Sequence, residues 1–409
     1  MNELILKAQQ ALNPLFSELD EIEAINTQRV LDAFQEERIS SQHFAPSLGY
    51  GYDDIGRDSY ERVLSRIFGC EAALARPSIA SGTHALAVAL FGVLRPGDTM
   101  LSVTGKPYDT LEEVIGISGD DDASLKCYNI AYKQVELKDG HMDIPSIIDA
   151  LSDKSIKLVT MQRSCGYEVR PTLTIEDIEK AAKAIKEVRP DVDIMVDNCY
   201  GEFTDIKEPT MVGADMMCGS MIKNPGGGIA PTGGYIAGKK RLIDKCATRL
   251  TCPGIGAEVG SYAASYQPFF QGLFLAPHVV MQAVRGAMLC AAVFEDMGYT
   301  VYPPSTQKRS DIIQAIVLGS GEKLCAFCRA VQAASPVEGY VVPEPWDMPG
   351  YTHQVIMAAG TFIQGASIEL SADGPMREPY AAYLQGGLTY THVKLALERI
   401  INELKAIEE

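Results

Sequence analysis

Hydrophobic and polar positions along the chain change texture twice. The first 40 residues place apolar side chains at helical spacing among many charges, and predict two short helices over residues 3–18 and 26–36. A glycine- and tyrosine-rich turn follows, Gly49-Tyr-Gly-Tyr-Asp-Asp-Ile-Gly56. From Arg57 the period is helical again (Tyr60, Val63, Leu64, Ile67) and stops at Gly69. Beyond it, short apolar runs alternate with amphipathic stretches. Strands are predicted over residues 99–104, 156–162, 192–197, 215–220 and 234–237, and helices over 85–94, 143–151 and 174–188. Thr174 and Asp177 form a capping box at the head of the last of these helices. Strands separated by helices of this length predict a mostly parallel sheet covered on both faces, the α/β class.

After residue 301 come a short strand (312–318), a helix (323–334), a proline-rich stretch and a final helix (390–407). The expected division is an N-terminal helical segment (1–48), a large domain (49–300) and a smaller C-terminal α/β domain (301–409). Residues 259–284 contain no Asp, Glu, Lys or Arg, but include Gln267, Gln271, Gln282 and two prolines. That composition argues for an interior or subunit-interface segment beside the active site rather than a membrane span.

Composition narrows the class of partner. The 409 residues are 46% hydrophobic and 22% charged, as expected of an α/β enzyme with a sizeable core. A formal net charge of −17 argues against nucleic acid or an anionic membrane as the main partner, because both demand basic patches. Ten cysteines in a chain this long make no disulfide framework, and several lie in apolar runs, so reduced buried thiols in a cytoplasmic protein are expected. Cys325 and Cys328 form a C-x-x-C, yet no second Cys/His pair stands at finger spacing and no metal is expected. Acids and bases mix from Glu3 onward, unlike a secretory leader.

Three local features carry candidate chemistry. Ser81-Gly82-Thr83-His84 opens an apolar helical stretch, where a glycine lets the backbone approach an anion and two hydroxyls add donors. The same residues also read as a plain helix cap. Asp197 ends a strand, where parallel sheets place their ligands, and a turn aspartate is the alternative. Lys223 follows an apolar strand in Ser220-Met-Ile-Lys-Asn-Pro-Gly-Gly-Gly228, with Ser220 placed to donate to the same anion as Ser81 to Thr83. The glycine run lacks the ending of a P-loop. A lysine, a carboxylate and an anion cradle are what pyridoxal phosphate requires for its aldehyde, ring nitrogen and phosphate.

The order of these elements, with 26 residues between Asp197 and Lys223, resembles fold-type I pyridoxal-phosphate enzymes, the aspartate-aminotransferase-like fold. The spacing is similar to that of their Cys/Met-metabolism branch. The segment from Gly219 to Gly238 resembles the methionine gamma-lyase family, also described as cystathionine beta-lyase family proteins involved in aluminium resistance. So do Gly51-Tyr-Asp-Asp-Ile-Gly-Arg57, Arg163-Ser-Cys-Gly-Tyr167, Val196-Asp-Asn-Cys-Tyr-Gly-Glu202 and Gln271-Gly-Leu-Phe-Leu-Ala-Pro277. The resemblance runs over residues 45 to 400.

The resemblance implies a seven-stranded, mostly parallel sheet and a pyridoxal-phosphate cofactor carried by Lys223 as a Schiff base. It implies Asp197 at the ring nitrogen, and Ser81, Gly82, Thr83 and Ser220 at the phosphate. Tyr108, in Lys106-Pro-Tyr-Asp-Thr110, matches the tyrosine that stacks on the ring, with a buried core tyrosine as the alternative. Tyr52 and Arg57 fall where the branch reaches a neighbouring subunit's phosphate. Their spacing is five rather than two, which leaves Tyr50 and Tyr52 both open for the role. Arg377 matches the arginine fork for a substrate α-carboxylate, with Arg163 and Ser164 as further candidates for the ring oxygen or carboxylate. The implied activity is β- or γ-elimination from a sulfur-containing amino acid, in a homodimer or homotetramer with shared active sites. Transamination, racemisation, aldol cleavage or a non-catalytic stress role on the same fold are the alternatives.

Overall fold

The computed structural model describes residues 2–348 and 351–408. The chain opens with one helix, α1 (Glu3–Glu36), where two were expected. Its buried positions Ile5, Ala8, Leu12, Leu19, Asn26, Val30 and Ala33 form one continuous stripe. No glycine or proline interrupts residues 19–25, so nothing local ends the helix there. Next comes α2 (Ile55–Ile67), capped by Asp54, whose carboxylate accepts from the Arg57 N–H at 2.8 Å.

The strand and helix alternation then follows as β1 (Ala72–Arg76), α3 (Gly82–Val93), β2 (Thr99–Ser102), α4 (Asp109–Ile115) and β3 (Ala131–Gln134). A small hairpin, β4 (Leu137–Lys138) with β5 (His141–Met142), leads to α5 (Ile144–Ala150) and β6 (Ile156–Gln162). The large domain is completed by α6 (Ile175–Val188), β7 (Asp193–Asp197), β8 (Met216–Ser220), β9 (Gly234–Gly238), α7 (Lys240–Leu250) and α8 (Gln267–Asp296). Seven strands form one sheet in the order β1-β9-β8-β7-β6-β2-β3, with β9 running against its neighbours and the β8-to-β3 side wholly parallel.

Alternation within each strand divides the core. Leu74, Met195, Met216, Cys218 and Ile236 face a cluster closed by Leu86 and Leu90 of α3 and Leu242 and Ile243 of α7. Ile194, Val196, Met217, Tyr235 and Ala237 face the opposite cluster, with Ile178 and Ile185 of α6 and much of α8. The β1 and β3 strands carry no such signal in sequence: β1 is short and small-residued, and β3 is an edge strand with most positions exposed.

The C-terminal region adds β10 (Thr300–Tyr302), β11 (Ile313–Val317), α9 (Gly321–Ala334), β12 (Val355–Ala358), β13 (Ser371–Pro375), β14 (Ala381–Gln385) and α10 (Tyr390–Glu408). Its five strands make a wholly antiparallel sheet in the order β10-β11-β14-β13-β12. Apolar side chains of this sheet, α9 and α10 join those of α8 in a single cluster. By length and composition α8 would suffice to cross a membrane, but most of it is buried inside the protein.

Helix α8 also meets the glycine turn after Lys223 backbone to backbone. A Cβ on Gly272 would stand 2.1 Å from the Gly226 carbonyl oxygen, and one on Gly227, whose φ is +53°, would stand 2.4 Å from the Gly272 oxygen. No L-side chain fits either place. Gly272→Ala is expected to destabilise the fold by about 3 kcal/mol through this overpacking. Urea unfolding of the two proteins measures the difference, and equal midpoints and slopes would contradict the contact.

Candidate active site

Several strand ends deliver polar side chains to one place. After β1 the chain enters α3 at Ser81, whose hydroxyl accepts from the His84 N–H at 3.0 Å. His84 Nδ1 in turn accepts from the Ala80 N–H at 3.0 Å, so this histidine pins the turn. The first-turn N–H groups of Gly82 and Thr83 have no partner within the helix. A Cβ on Gly82 would lie 3.1 Å from Cys199 Sγ, so the glycine admits the loop that follows β7. Thr83 and Thr110 share a hydroxyl–hydroxyl hydrogen bond of 2.8 Å.

Asp197 stands at the end of β7 and accepts from the Cys199 N–H at 3.1 Å. Ser220 ends β8, buried, and Lys223 follows it one tight turn later. Tyr108 precedes α4, held by its own N–H donating to Gln162 Oε1 at 2.6 Å. The resulting cavity of about 430 Å³ is lined by Ser81, Gly82, Thr83, Tyr108, Ser164, Asp197, Ser220 and Lys223, eight residues singled out in the sequence.

The C-terminal sheet supplies the other wall, which the sequence did not reveal. Tyr351, Ser371, Asp373, Tyr383 and Gln385 line it, with Tyr167 and Tyr200 from the large domain. Tyr108 and Tyr351 share a hydrogen bond of 2.7 Å between their hydroxyls, and the Tyr383 hydroxyl donates to the Tyr167 carbonyl at 2.7 Å. Gln385 Nε2 donates to Asp373 Oδ2 at 3.0 Å. In sequence Asp373 only follows Ile368-Glu-Leu-Ser-Ala372, a stretch that mixes apolar and polar residues and does not mark it. Tyr200 lay within a quoted motif, but nothing local marked it. Its ring centroid stands 3.9 Å from Lys223 Nζ, and its backbone takes a φ of +72°.

The electrostatics are dominated by burial. Desolvation pushes the Asp197 carboxyl up, against the N–H of Cys199 and the charge of Lys223. Burial presses the Lys223 ammonium down, but Cys199, Tyr200 and Asp197 together outweigh it, and the net shift is upward. The thiol of Cys199 and the phenols of Tyr108 and Tyr167 are driven well above their ordinary values, chiefly by burial.

Four expected residues are placed elsewhere. Arg163 is buried and donates to Asn198 Oδ1 at 2.9 Å, the Gly201 carbonyl at 2.8 Å and Thr204 Oγ1 at 3.2 Å. The expectation of a substrate contact is corrected: its guanidinium braces the turn after β7, and the residue does not line the cavity. Arg57 is likewise buried and donates to the carbonyls of Gly49 at 3.1 Å and Glu258 at 3.1 Å and to Asp58 at 2.7 Å. This corrects its expected reach to a neighbouring phosphate, because its donors face its own chain. Arg377 lies past β13 in the turn before β14, outside the cavity lining, where its charge acts on Asp109 and Tyr383. Asp373 lies within β13 and lines the cavity, whereas Arg377 stands two residues beyond the strand's end. Tyr52 is exposed, as is Tyr50, and neither lines the cavity of its own chain. The ten cysteines are free thiols, and among the described residues no group of three or more His, Cys, Asp or Glu side chains is gathered to hold a metal.

Behind the cavity, Glu202 is wholly buried and accepts from the Tyr235 hydroxyl at 2.7 Å. Desolvation pushes its carboxyl up to about 8. A carboxyl of ordinary value 4.5 in the unfolded chain releases its proton while the folded state still holds it, so stability falls as pH rises from 4.5 to about 8 and levels off above. Glu202→Gln keeps the acceptor for Tyr235 and removes the proton. Its stability should fall less steeply over that window, by up to about 1.4 kcal/mol per pH unit. Chemical denaturation at a series of pH values tests this, and an unchanged slope would refute it.

The sequence pattern described as methionine gamma-lyase matches residues 1–405. The uncharacterized protein YnbB of Bacillus subtilis (strain 168) is 52% identical over 392 residues, covering 95% of this chain and 93% of that protein. A crystal structure of a carbon-sulfur lyase involved in aluminum resistance, from Clostridium novyi NT, is 53% identical. It superposes with a TM-score of 0.95 over 98% of this chain and 95% of that one. The pyridoxal-5'-phosphate-dependent protein YhfS from Escherichia coli shares the fold at a TM-score of 0.63 and 14% identity, over 95% and 97% of the two chains.

Proposed function

The chain belongs to the methionine gamma-lyase family, and from that premise we propose that it is a pyridoxal-phosphate-dependent carbon–sulfur lyase acting on a sulfur-containing amino acid such as cystathionine or methionine. The observation that carries the reading is the convergence of Ser81 to Thr83, Asp197, Ser220 and Lys223 on one cavity. These residues fit the cofactor. The α3 N-terminus, the hydroxyls of Ser81, Thr83 and Ser220, and the approach opened by Gly82 suit a phosphate. Asp197 would face the ring nitrogen, Tyr108 the ring, and Lys223 would hold the aldehyde carbon. When bound, pyridoxal phosphate supplies an electron sink that stabilises negative charge at the substrate's α-carbon.

The chain's own residues do the rest. Lys223 Nζ, once released, takes the α-proton and stands ready to return a proton to the departing sulfur. Ser164 contributes a polar contact for the substrate or the ring oxygen. The tyrosines from both walls close the cavity around the reacting atoms and keep water scarce there. The name of the Clostridium novyi NT protein supports a carbon–sulfur bond as the one broken.

Lys223→Ala should lose the visible absorbance of lysine-bound pyridoxal phosphate, and with it thiol release from cystathionine and methionine. A folded variant that keeps the band would sink the assignment of Lys223. Amino transfer to an oxoacid by the unaltered enzyme, without thiol, would remove the lyase reading.

We also propose a homodimer or homotetramer with active sites at a subunit interface. Exposed Leu48, Tyr50, Tyr52 and Ile55 support it, clustering in one short segment of the surface. Sedimentation equilibrium should give at least twice the chain mass, with Tyr52→Ala shifting the balance toward monomer. An active monomer at nanomolar concentration would contradict this.

A further inference from the structure

The C-terminal wall of the cavity bears a charge of unexpected sign. Ser371 and Asp373 of β13 face the cavity while Ala372 between them packs into the core. Register across the sheet sets Asp373 against Tyr383 and Ser371 against Gln385 on β14. Among the described lining residues, Lys223 is the sole lysine, arginine or histidine, and it belongs to the opposite wall. Asp373 is 8% exposed, accepts from Gln385 Nε2 at 3.0 Å, and has the Tyr167 phenol close enough to lower its pKa.

A carboxyl whose one hydrogen-bond donor is a neutral amide has lone pairs left over. An ionised carboxylate held away from water is costly unless a cation reaches it. Lys223 is committed to the cofactor in the reading proposed above, so the cation has to arrive with the substrate. A distal carboxylate would be repelled from this wall, and a distal methyl group would cover the carboxyl without compensating it.

We infer that Asp373, with Tyr167 and Gln385, forms a subsite for a positively charged distal group, which makes the substrate class a thioether amino acid whose far end carries an ammonium. The inference rests on the lyase reading for the near end of the substrate and deepens it at the far end.

The groups facing Asp373 leave it free to act as the titrating partner. Tyr108, Tyr167, Tyr200, Tyr351 and Tyr383 surround it, and all five phenols are shifted up, first by burial. The Cys328 thiol of α9 is shifted up in the same way. None of them ionises near neutrality, and Lys223, the cation whose charge lowers the Asp373 pKa, is absent from the Lys223→Ala chain in which binding is measured. Burial pushes Asp373 itself up to about 7, so its charge is lost as pH falls through that value. Asp197 is also an elevated acid, and a substitution at Asp373 separates the two.

The probes are S-(2-aminoethyl)-L-cysteine and S-propyl-L-cysteine, nearly equal in shape and different in distal charge. In the full chain carrying Lys223→Ala, with pyridoxal phosphate added, both bind without turnover and calorimetry reads their affinities. The aminoethyl compound should bind roughly tenfold tighter at about pH 8, as expected for a hydrogen bond to a charged group. The ratio should narrow at about pH 5.5, as Asp373 takes up its proton. Adding Asp373→Asn should bring the two affinities together. Tyr167→Phe, which keeps the ring, should narrow the ratio in part and serves if Asp373→Asn does not fold.

Equal affinities before Asp373 is changed would overturn the subsite, as would a preference that survives in the folded Asp373→Asn chain. Thiol release by the unaltered enzyme is read separately. Release from both compounds without preference rejects the subsite and keeps the lyase reading. Preference in binding without any thiol release rejects the lyase reading and keeps the subsite.

Discussion

The site depends on one close approach of backbones, where Gly272 of α8 meets Gly226 and Gly227 in the turn after Lys223. Helix α8 is the element shared by the two halves of the core, since its apolar side chains join the large sheet to the C-terminal helices. Seating the lysine turn directly on that helix ties the reactive side chain to a long, largely buried element. The turn is further held by Asn224, whose Nδ2 donates to the carbonyls of Tyr200 and Glu202 at 2.9 Å each. Lys223 and the ring of Tyr200 are therefore positioned by the same short stretch of backbone. A side chain at Gly227 or Gly272 would push the turn off the helix and carry both residues with it.

A second layer explains how the loop after β7 keeps its shape. Arg163 gathers Asn198, Gly201 and Thr204, and Glu208 accepts from Asn198 Nδ2 at 3.0 Å and from the Phe203 N–H at 2.9 Å. Asn26 of α1 donates to the carbonyls of Phe203 at 3.2 Å and Asp205 at 3.1 Å, so the N-terminal helix also braces this loop. Buried polar groups that satisfy one another rigidify their surroundings, and here they hold Asp197, Cys199 and Tyr200 at the cavity. The arginine that looked available for a substrate is consumed in that scaffold. What remains in the cavity is a lysine on one wall and an aspartate on the other, with tyrosines between. Such a wall discriminates by charge at the far end of a ligand, while the strand ends handle the near end.

Much of this was legible in the order of residues along the chain. Ser81 to Thr83, Asp197, Ser220 and Lys223 each sit at a helix cap or a strand end, where local pattern and chain position suffice to place them. The parallel sheet followed from apolar runs alternating with amphipathic helices, and the capping box of Thr174 and Asp177 formed as expected. The buried β1 was missed because its residues are mostly alanine, and β3 because most of its positions are exposed. The single helix α1 was divided because its charged middle hid a stripe that continues at wider spacing.

What the sequence alone determined, then, were the groups whose surroundings are local: the lysine, the strand-end aspartate and the hydroxyl-rich cap. Tertiary structure decided which arginines were free and which side chains formed the far wall. A guanidinium looks the same in a sequence whether it meets a substrate or three acceptors of its own fold, and only the approach of distant backbones settles the matter. Asp373 faces Lys223 because β13 pairs with β14 and the C-terminal sheet docks over the strand ends, a contact between residues 150 positions apart. No local pattern encodes a juxtaposition of that range.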